Sequence, residues 1–202
     1  MKISINCHSS IRIEDEKVIY FDPFKIEEET HDADVIFITH DHFDHFSVED
    51  ICKVEKEDTV YVIPECMYNL LGGENVVTMN PGDKGVVEGM DVMAIPSYNP
   101  NKAFHPKDKG YVGYLVKIGG KTVYVAGDCD MNEDNRKVKC DIALVPIGGT
   151  YTMDHAEAAE LINLIRPQLA IPTHYGDVAG DKSAGEKFAK LVDPSVRVEL
   201  MI

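Results

Sequence analysis

Apolar residues in the first half of the chain fall in short runs separated by turn formers: Ile3–Asn6, Ile11–Glu14, Val18–Phe21, Val35–Thr39, Thr59–Ile63, Val76–Met79 and Val92–Ile95. Runs this short, rich in Val, Ile, Tyr and Phe, predict β-strands with few helices between them. Ser47 is suited to cap one short helix, which would carry Val48 and Ile51 at helical spacing.

The second half repeats the theme. Val112–Ile118, a Gly119-Gly120 turn and Thr122–Ala126 predict a hairpin, followed by a strand over Ile142–Ile147. Asp154 with Glu157 three residues later forms a capping-box pattern. The helix it opens places Ala158, Leu161, Ile162 and Ile165 on one face and stops before Pro167. Leu169–Pro172 then predicts a strand, Lys182–Leu191 a helix and Val196–Met201 a closing strand. Strands followed by helices, twice over, predict an α/β fold of two sheets sandwiched between outer helices.

At 202 residues and 44% hydrophobic content the chain can bury one substantial core. No repeat, low-complexity tract or linker interrupts it, so one domain over residues 1–202 is expected. With 35 acidic against 20 basic side chains, the formal charge of −15 repels a phosphate backbone and disfavours nucleic acid as a partner. No apolar stretch is long enough for a signal peptide or a membrane span, and the five cysteines are scattered without a Cys-x-x-Cys pair. A cytoplasmic protein with reduced thiols and no membrane partner is expected, with homo-oligomerisation left open.

The chemistry concentrates in Thr39-His40-Asp41-His42-Phe43-Asp44-His45. Four metal-capable side chains in six residues follow an apolar run whose end would fix the loop. On an extended or turning segment, positions i and i+2 face the same side, so His40 and His42 can share one ion while Asp44 and His45 face a second. Imidazole with carboxylate suits zinc first, with manganese or iron also compatible. A polar surface loop with solvated histidines is the plainer alternative, and four such residues together argue against it.

The segment resembles the central His-x-His-x-Asp-His motif of the metallo-β-lactamase superfamily, and the resemblance extends over essentially the whole chain. It implies the four-layer αββα sandwich of that family. It also implies that Asp128, in Ala126-Gly127-Asp128, bridges both metals, and that His174, in Pro172-Thr173-His174, completes the second site. The chain departs from the family after Val92–Ile95, where it reads Pro96-Ser97-Tyr98-Asn99 and offers no histidine before His105. His105 is assigned to the first site, with Tyr98, Asn99 or water as the alternatives.

Cys7-His8-Ser9-Ser10 and Phe21-Asp22-Pro23-Phe24 are similar to the branch that contains ascorbate-phosphate lactonase-like and other small metal-dependent hydrolases. Asp22 fits a role orienting a ligand by hydrogen bonding, and His8 either contacts substrate or supports the metals. Gly148-Gly149-Thr150-Tyr151-Thr152 lacks the lysine of a phosphate-binding loop and is expected to line the site, with Tyr151 facing substrate. His31, in an acidic loop, and His155, in the first helical turn, are excluded.

Two ions sharing a carboxylate imply hydrolysis of a small-molecule ester, lactone or phosphoester. The nucleophile would be a metal-bridging hydroxide held by Asp44 and Asp128. Tyr151 and Tyr175 are candidate general acids. The alternatives are a nuclease of the same superfamily, which needs a basic groove, and a non-catalytic metal-binding or sensor module on the same fold.

Overall fold

Thirteen strands and three helices of the computed structural model, which describes Met1–Ile202, build two sheets covered on their outer faces by helices. The first sheet takes β1 (Lys2–Cys7), β2 (Ser10–Glu14), β3 (Val18–Phe21), β4 (Ala33–Phe37), β5 (Glu55–Pro64) and β6 (Val76–Met79), in that spatial order. β1, β2 and β3 pair antiparallel, and β3 to β6 pair parallel. The second sheet takes β7 (Lys84–Val87), β8 (Met90–Pro96), β9 (Val112–Ile118), β10 (Lys121–Val125), β11 (Ile142–Pro146), β12 (Leu169–Thr173) and β13 (Arg197–Val198). It runs as an antiparallel meander through β10 and continues parallel to β13.

The period-2 alternation of the strands sorts their side chains into layers. Val35 and Phe37 of β4 join Val92, Tyr114, Val123 and Leu144 in the core between the sheets. Ile36 and Ile38 turn outward and pack on Ile51 and Val54 of α1 (Val48–Val54). On the far side, Tyr124 and Val145 pack on Leu161 and Ile162 of α2 (His155–Ile165) and on Phe188 of α3 (Ala184–Leu191). The result is a four-layer αββα sandwich, with two mixed sheets and few helices, as the resemblance implies. Inside it, the Tyr114 hydroxyl crosses the core and donates to Ile38 O at 2.8 Å, tying β9 to the end of β4.

Several boundaries differ from expectation. β4 ends at Phe37 rather than Thr39, because the Thr39 N–H leaves the ladder and donates to the Asp22 carboxylate. β7 was not anticipated, since Lys84-Gly85-Val86-Val87 carries no alternation and mostly faces solvent. β13 spans two residues instead of six, and α3 starts at Ala184 instead of Lys182. Val48 is exposed, and α1 buries Ile51 and Val54 instead. Asp154 caps α2 by accepting from the Ala156 and Glu157 N–H groups, but Glu157 reaches to Met131 N and does not close a capping box. The acidic loop around His31 is anchored, with Asp32 accepting from Arg12 at 2.7 Å and from the Tyr20 hydroxyl at 3.0 Å. No helix is long and apolar enough to cross a membrane.

Candidate metal centre

Every candidate donor follows the carboxyl end of a strand, so the topology delivers them to one edge of the sandwich. His8 follows β1, Asp22 follows β3, His40 to His45 follow β4, Asp128 follows β10 and His174 follows β12. His105 arrives from the loop after β8. His8, Asp22, His105 and His174 all adopt left-handed backbone, with φ of 56°, 47°, 53° and 58°. Such a conformation costs an L-residue on the order of 1–3 kcal/mol and persists where surrounding structure enforces it. Here it aims side chains into one space.

The loop carrying His105 folds back through its own polar groups. Asn99 N donates to His105 O at 2.9 Å, and Asn99 Nδ2 donates to Phe104 O at 3.0 Å and to Tyr151 O at 2.7 Å. Lys102 Nζ donates to Asp130, Gly149 O and Thr152 O, fastening this loop to the one that carries Tyr151. His105 Nε2 thereby stands 3.1 Å from His42 Nδ1 and 3.4 Å from Asp128 Oδ2. The Tyr98 hydroxyl lies at Asp134 instead, and Asn99 is taken up in the loop, so neither stands in for it.

Three donor groups result, each with ligand atoms within 4.8 Å of one another: His40, His42 and His105; His8, Asp44, His45 and His174; and His40, His45 and Asp128. The third joins the first two. Asp128 Oδ2 lies 3.0 Å from His174 Nε2, and Oδ1 lies 3.2 Å from His45 Nε2. His8 enters the second group with Nε2 3.1 Å from Asp44 Oδ2 and its ring centroid 3.7 Å from that of His174. It is fully buried and is not among the residues lining the cavity above the donors.

Behind the donors, buried groups fix the ring tautomers. Asp22 accepts from Thr39 N at 2.8 Å and from the Thr39 hydroxyl at 2.7 Å, and its Oδ2 lies 2.7 Å from His45 Nδ1. With its hydroxyl hydrogen committed to Asp22, Thr39 Oγ1 can only accept from His40 Nδ1, 3.0 Å away. His40 therefore turns a bare Nε2 forward, and His45 turns forward an Nε2 that is bare once the ring is neutral. Those two atoms, Asp128 Oδ1 and His174 Nε2 are buried without a hydrogen-bond partner. Orphaned polar atoms cost about 1–3 kcal/mol each, and a group of them facing one another fits divalent cations.

The electrostatics agree with that fit. Burial holds His8, His40 and His105 below the usual imidazole range, which keeps them neutral as ligation requires. Burial pushes Asp128 up, but His174 and His45 outweigh it and keep the carboxylate ionised. His45 goes the other way: burial opposes its charged form, yet Asp128 and Asp22 raise it well above its ordinary value. A cation beside His45 would supply positive charge to the same carboxylates in place of that proton.

The donors floor an open cavity of about 620 Å³. A second cavity, about 470 Å³ between the turns at Asp15–Lys17 and Lys117–Gly120, contains no histidine. Tyr151 lines the first cavity as expected. Tyr175 does not; its ring is buried against Gly185 of α3, so the general-acid role foreseen for it is withdrawn. His31 is exposed and His155 half-buried, and neither joins a donor group.

A β-lactamase superfamily domain matches residues 2–174. The chain is 30% identical to a UPF0173 metal-dependent hydrolase of Pyrococcus abyssi over 217 residues, covering 100% of this chain and 96% of the relative. It is 31% identical to another from Methanopyrus kandleri, with the same coverage. The chain belongs to the UPF0173 family of metal-dependent hydrolases, within the metallo-β-lactamase superfamily. A crystal structure of a candidate metal-dependent hydrolase from Parabacteroides distasonis superposes with a TM-score of 0.84 at 30% identity, over 98% of this chain and 91% of that one. A UPF0173 chain thus presents its histidine and aspartate groups at the strand-end edge of a shared fold.

Proposed function

We propose that this chain hydrolyses a small-molecule ester, lactone or phosphoester, using two divalent cations, zinc first among them. His40, His42 and His105 would hold one and Asp44, His45 and His174 the other, with Asp128 between them. The observation that carries the reading is the set of buried, unpartnered donor atoms facing one another beneath an open cavity. Two such ions supply an acidified water and stabilise charge developing on the attacked group.

The chain's own groups do the rest. Asp128 and Asp44, both held below the usual carboxylate range, are acceptors for the hydrogens of an attacking water. For Asp128 the opposing burial is outweighed first by His174, and for Asp44 first by the His8 contact. Asp22 and Thr39 keep His45 and His40 in one tautomer, so no reorganisation is needed during turnover. Tyr151 brings a hydroxyl to the cavity and is the candidate proton donor to the leaving group. The similarity of the His8 and Asp22 segments to the ascorbate-phosphate lactonase-like branch supports lactones among the substrates to test. The open cavity above the donors argues against a closed, purely structural metal site, and the charge of −15 argues against a nuclease.

A metal-loaded screen across lactones, carboxylic esters, thioesters and phosphodiesters tests the proposal. On the substrate found, Asp128→Ala should lower kcat/KM by more than the roughly 10–100-fold typical of removing a group behind a ligand. His155→Ala should leave it near wild type. Equal activities of the two variants reject the assignment.

A further inference from the structure

The mouth of the cavity is more informative about substrate than its floor. Phe43, Phe104, Tyr151 and Val178 line it and remain 68%, 47%, 41% and 36% exposed. Apolar surface gathered at the entrance of one polar-floored cavity marks a ligand-binding wall. Three of these side chains make ring contacts: Phe104 meets the Tyr151 ring edge-on at 4.7 Å, and Phe43 meets Phe24 at 6.0 Å. They arrive from the loops after β4, β8, β11 and β12, so the apolar surface surrounds the entrance.

No lysine or arginine lines this cavity. Of the cations in the bordering loops, Lys102 and Lys107 are engaged by other groups, and Lys109 and Lys182 lie outside the cavity lining. Lys102 Nζ spends its three donors on Asp130, Gly149 O and Thr152 O at 2.6, 3.1 and 2.6 Å. Lys25 Nζ lies 2.5 Å from Asp177 Oδ2. A site for a phosphorylated or polycarboxylate substrate would present a free guanidinium or ammonium to the part of the ligand beyond the reacting bond. This one presents aromatic rings and a valine.

We infer that the substrate is an uncharged carboxylic ester or lactone bearing an alkyl or aryl arm, which Phe43, Phe104, Tyr151 and Val178 receive. The inference rests on the hydrolase reading and narrows it, setting phosphoesters aside. In the reaction the water oxygen bonds to the acyl carbon as the carbonyl carbon–oxygen single bond breaks. The departing oxygen takes a proton from Tyr151, which regains one from those the water gave up to the aspartates, giving an alcohol and an acid, or a hydroxy acid from a lactone. The arm stays against the apolar wall throughout, so it contributes to binding of ground and transition state alike.

Calorimetric titration of the zinc-loaded chain with straight-chain alkanohydroxamates of increasing length tests the arm without needing turnover. Affinity should rise about fourfold per added methylene until the wall is covered. Phe104→Ala should at least halve that gain and Phe104→Leu should retain most of it, both at wild-type metal content. Constant affinity along the series overturns the inference, as does tighter binding of an equally long chain ending in sulfonate. Hydrolysis of γ-lactones with matched side chains, measured in parallel, separates this inference from the reading beneath it. A rising affinity series without turnover of any lactone supports the apolar subsite and refutes the hydrolase. Turnover of the shortest lactone with a flat affinity series refutes the subsite and leaves the hydrolase standing.

Discussion

Gly148 shows how closely the metal centre is fitted at the level of single residues. A Cβ on Gly148 would lie 2.6 Å from His174 O and 2.8 Å from His174 Nδ1, distances that no packed side chain adopts. The glycine permits a close approach of two loops and has no phosphate-binding part. Gly148→Ala should therefore push His174 off Asp128 and lower bound metal from about two toward one per chain, with the circular dichroism of the fold retained. Unchanged metal content at wild-type affinity would contradict this. Much of the residue scale was legible: His40, His42, Asp44 and His45 declare themselves by spacing, Asp22 by following a strand, and Asp128 and His174 through the family resemblance. His105 was reachable only through the family resemblance together with the turn-rich loop before it. The membership of His8 in a donor group was not legible as such, because one histidine after a strand carries no partner information until the sheets are brought together.

Among the elements, α1 depends on one buried carboxylate. Asp50 accepts from Lys25 N and Ile26 N at 2.9 Å each, from the Ser47 hydroxyl at 2.7 Å and from Lys53 Nζ at 3.1 Å. These contacts tie the loop after β3 to the first turns of the helix. Burial pushes the Asp50 carboxyl up, but Ser47, Lys53 and the two backbone donors outweigh it and hold it below its ordinary value. A lowered folded-state pKa contributes stability above the unfolded value and loses it as pH falls through the folded value. Asp50→Asn should then cost about 1–3 kcal/mol at neutral pH. The gap to wild type should close as pH drops below the ordinary carboxylate range near 3.9. Urea unfolding at several pH values checks this, and equal stability at pH 7 contradicts it. Sequence pattern located α1 and most strands because alternation and capping are local. It paired Val48 with Ile51 by spacing but not Ile51 with Val54, since a helix of two turns has too few residues to reveal which stripe meets Ile36 and Ile63. It missed β7, whose pairing with β8 is decided by the backbone ladder rather than by buried side chains.

Across the whole molecule, the layering was legible because the strands of each sheet bury both faces. Val35 and Phe37 point into the core between the sheets while Ile36 and Ile38 point to the helix, so continuous apolar runs and outer helices already imply four layers. The order of strands and the register that brings six strand ends to one edge were not legible, because pairing partners lie far apart in sequence. That shared edge is what turns scattered histidines into two donor groups joined by Asp128. The most direct test is the metal-to-protein ratio by elemental analysis after reconstitution and removal of free metal, for wild type and His105→Ala. About two ions per wild-type chain are expected and about one in the variant, whose second group of Asp44, His45, His174 and Asp128 is intact. A wild-type ratio well below one, or an unchanged ratio and affinity in His105→Ala, would contradict this.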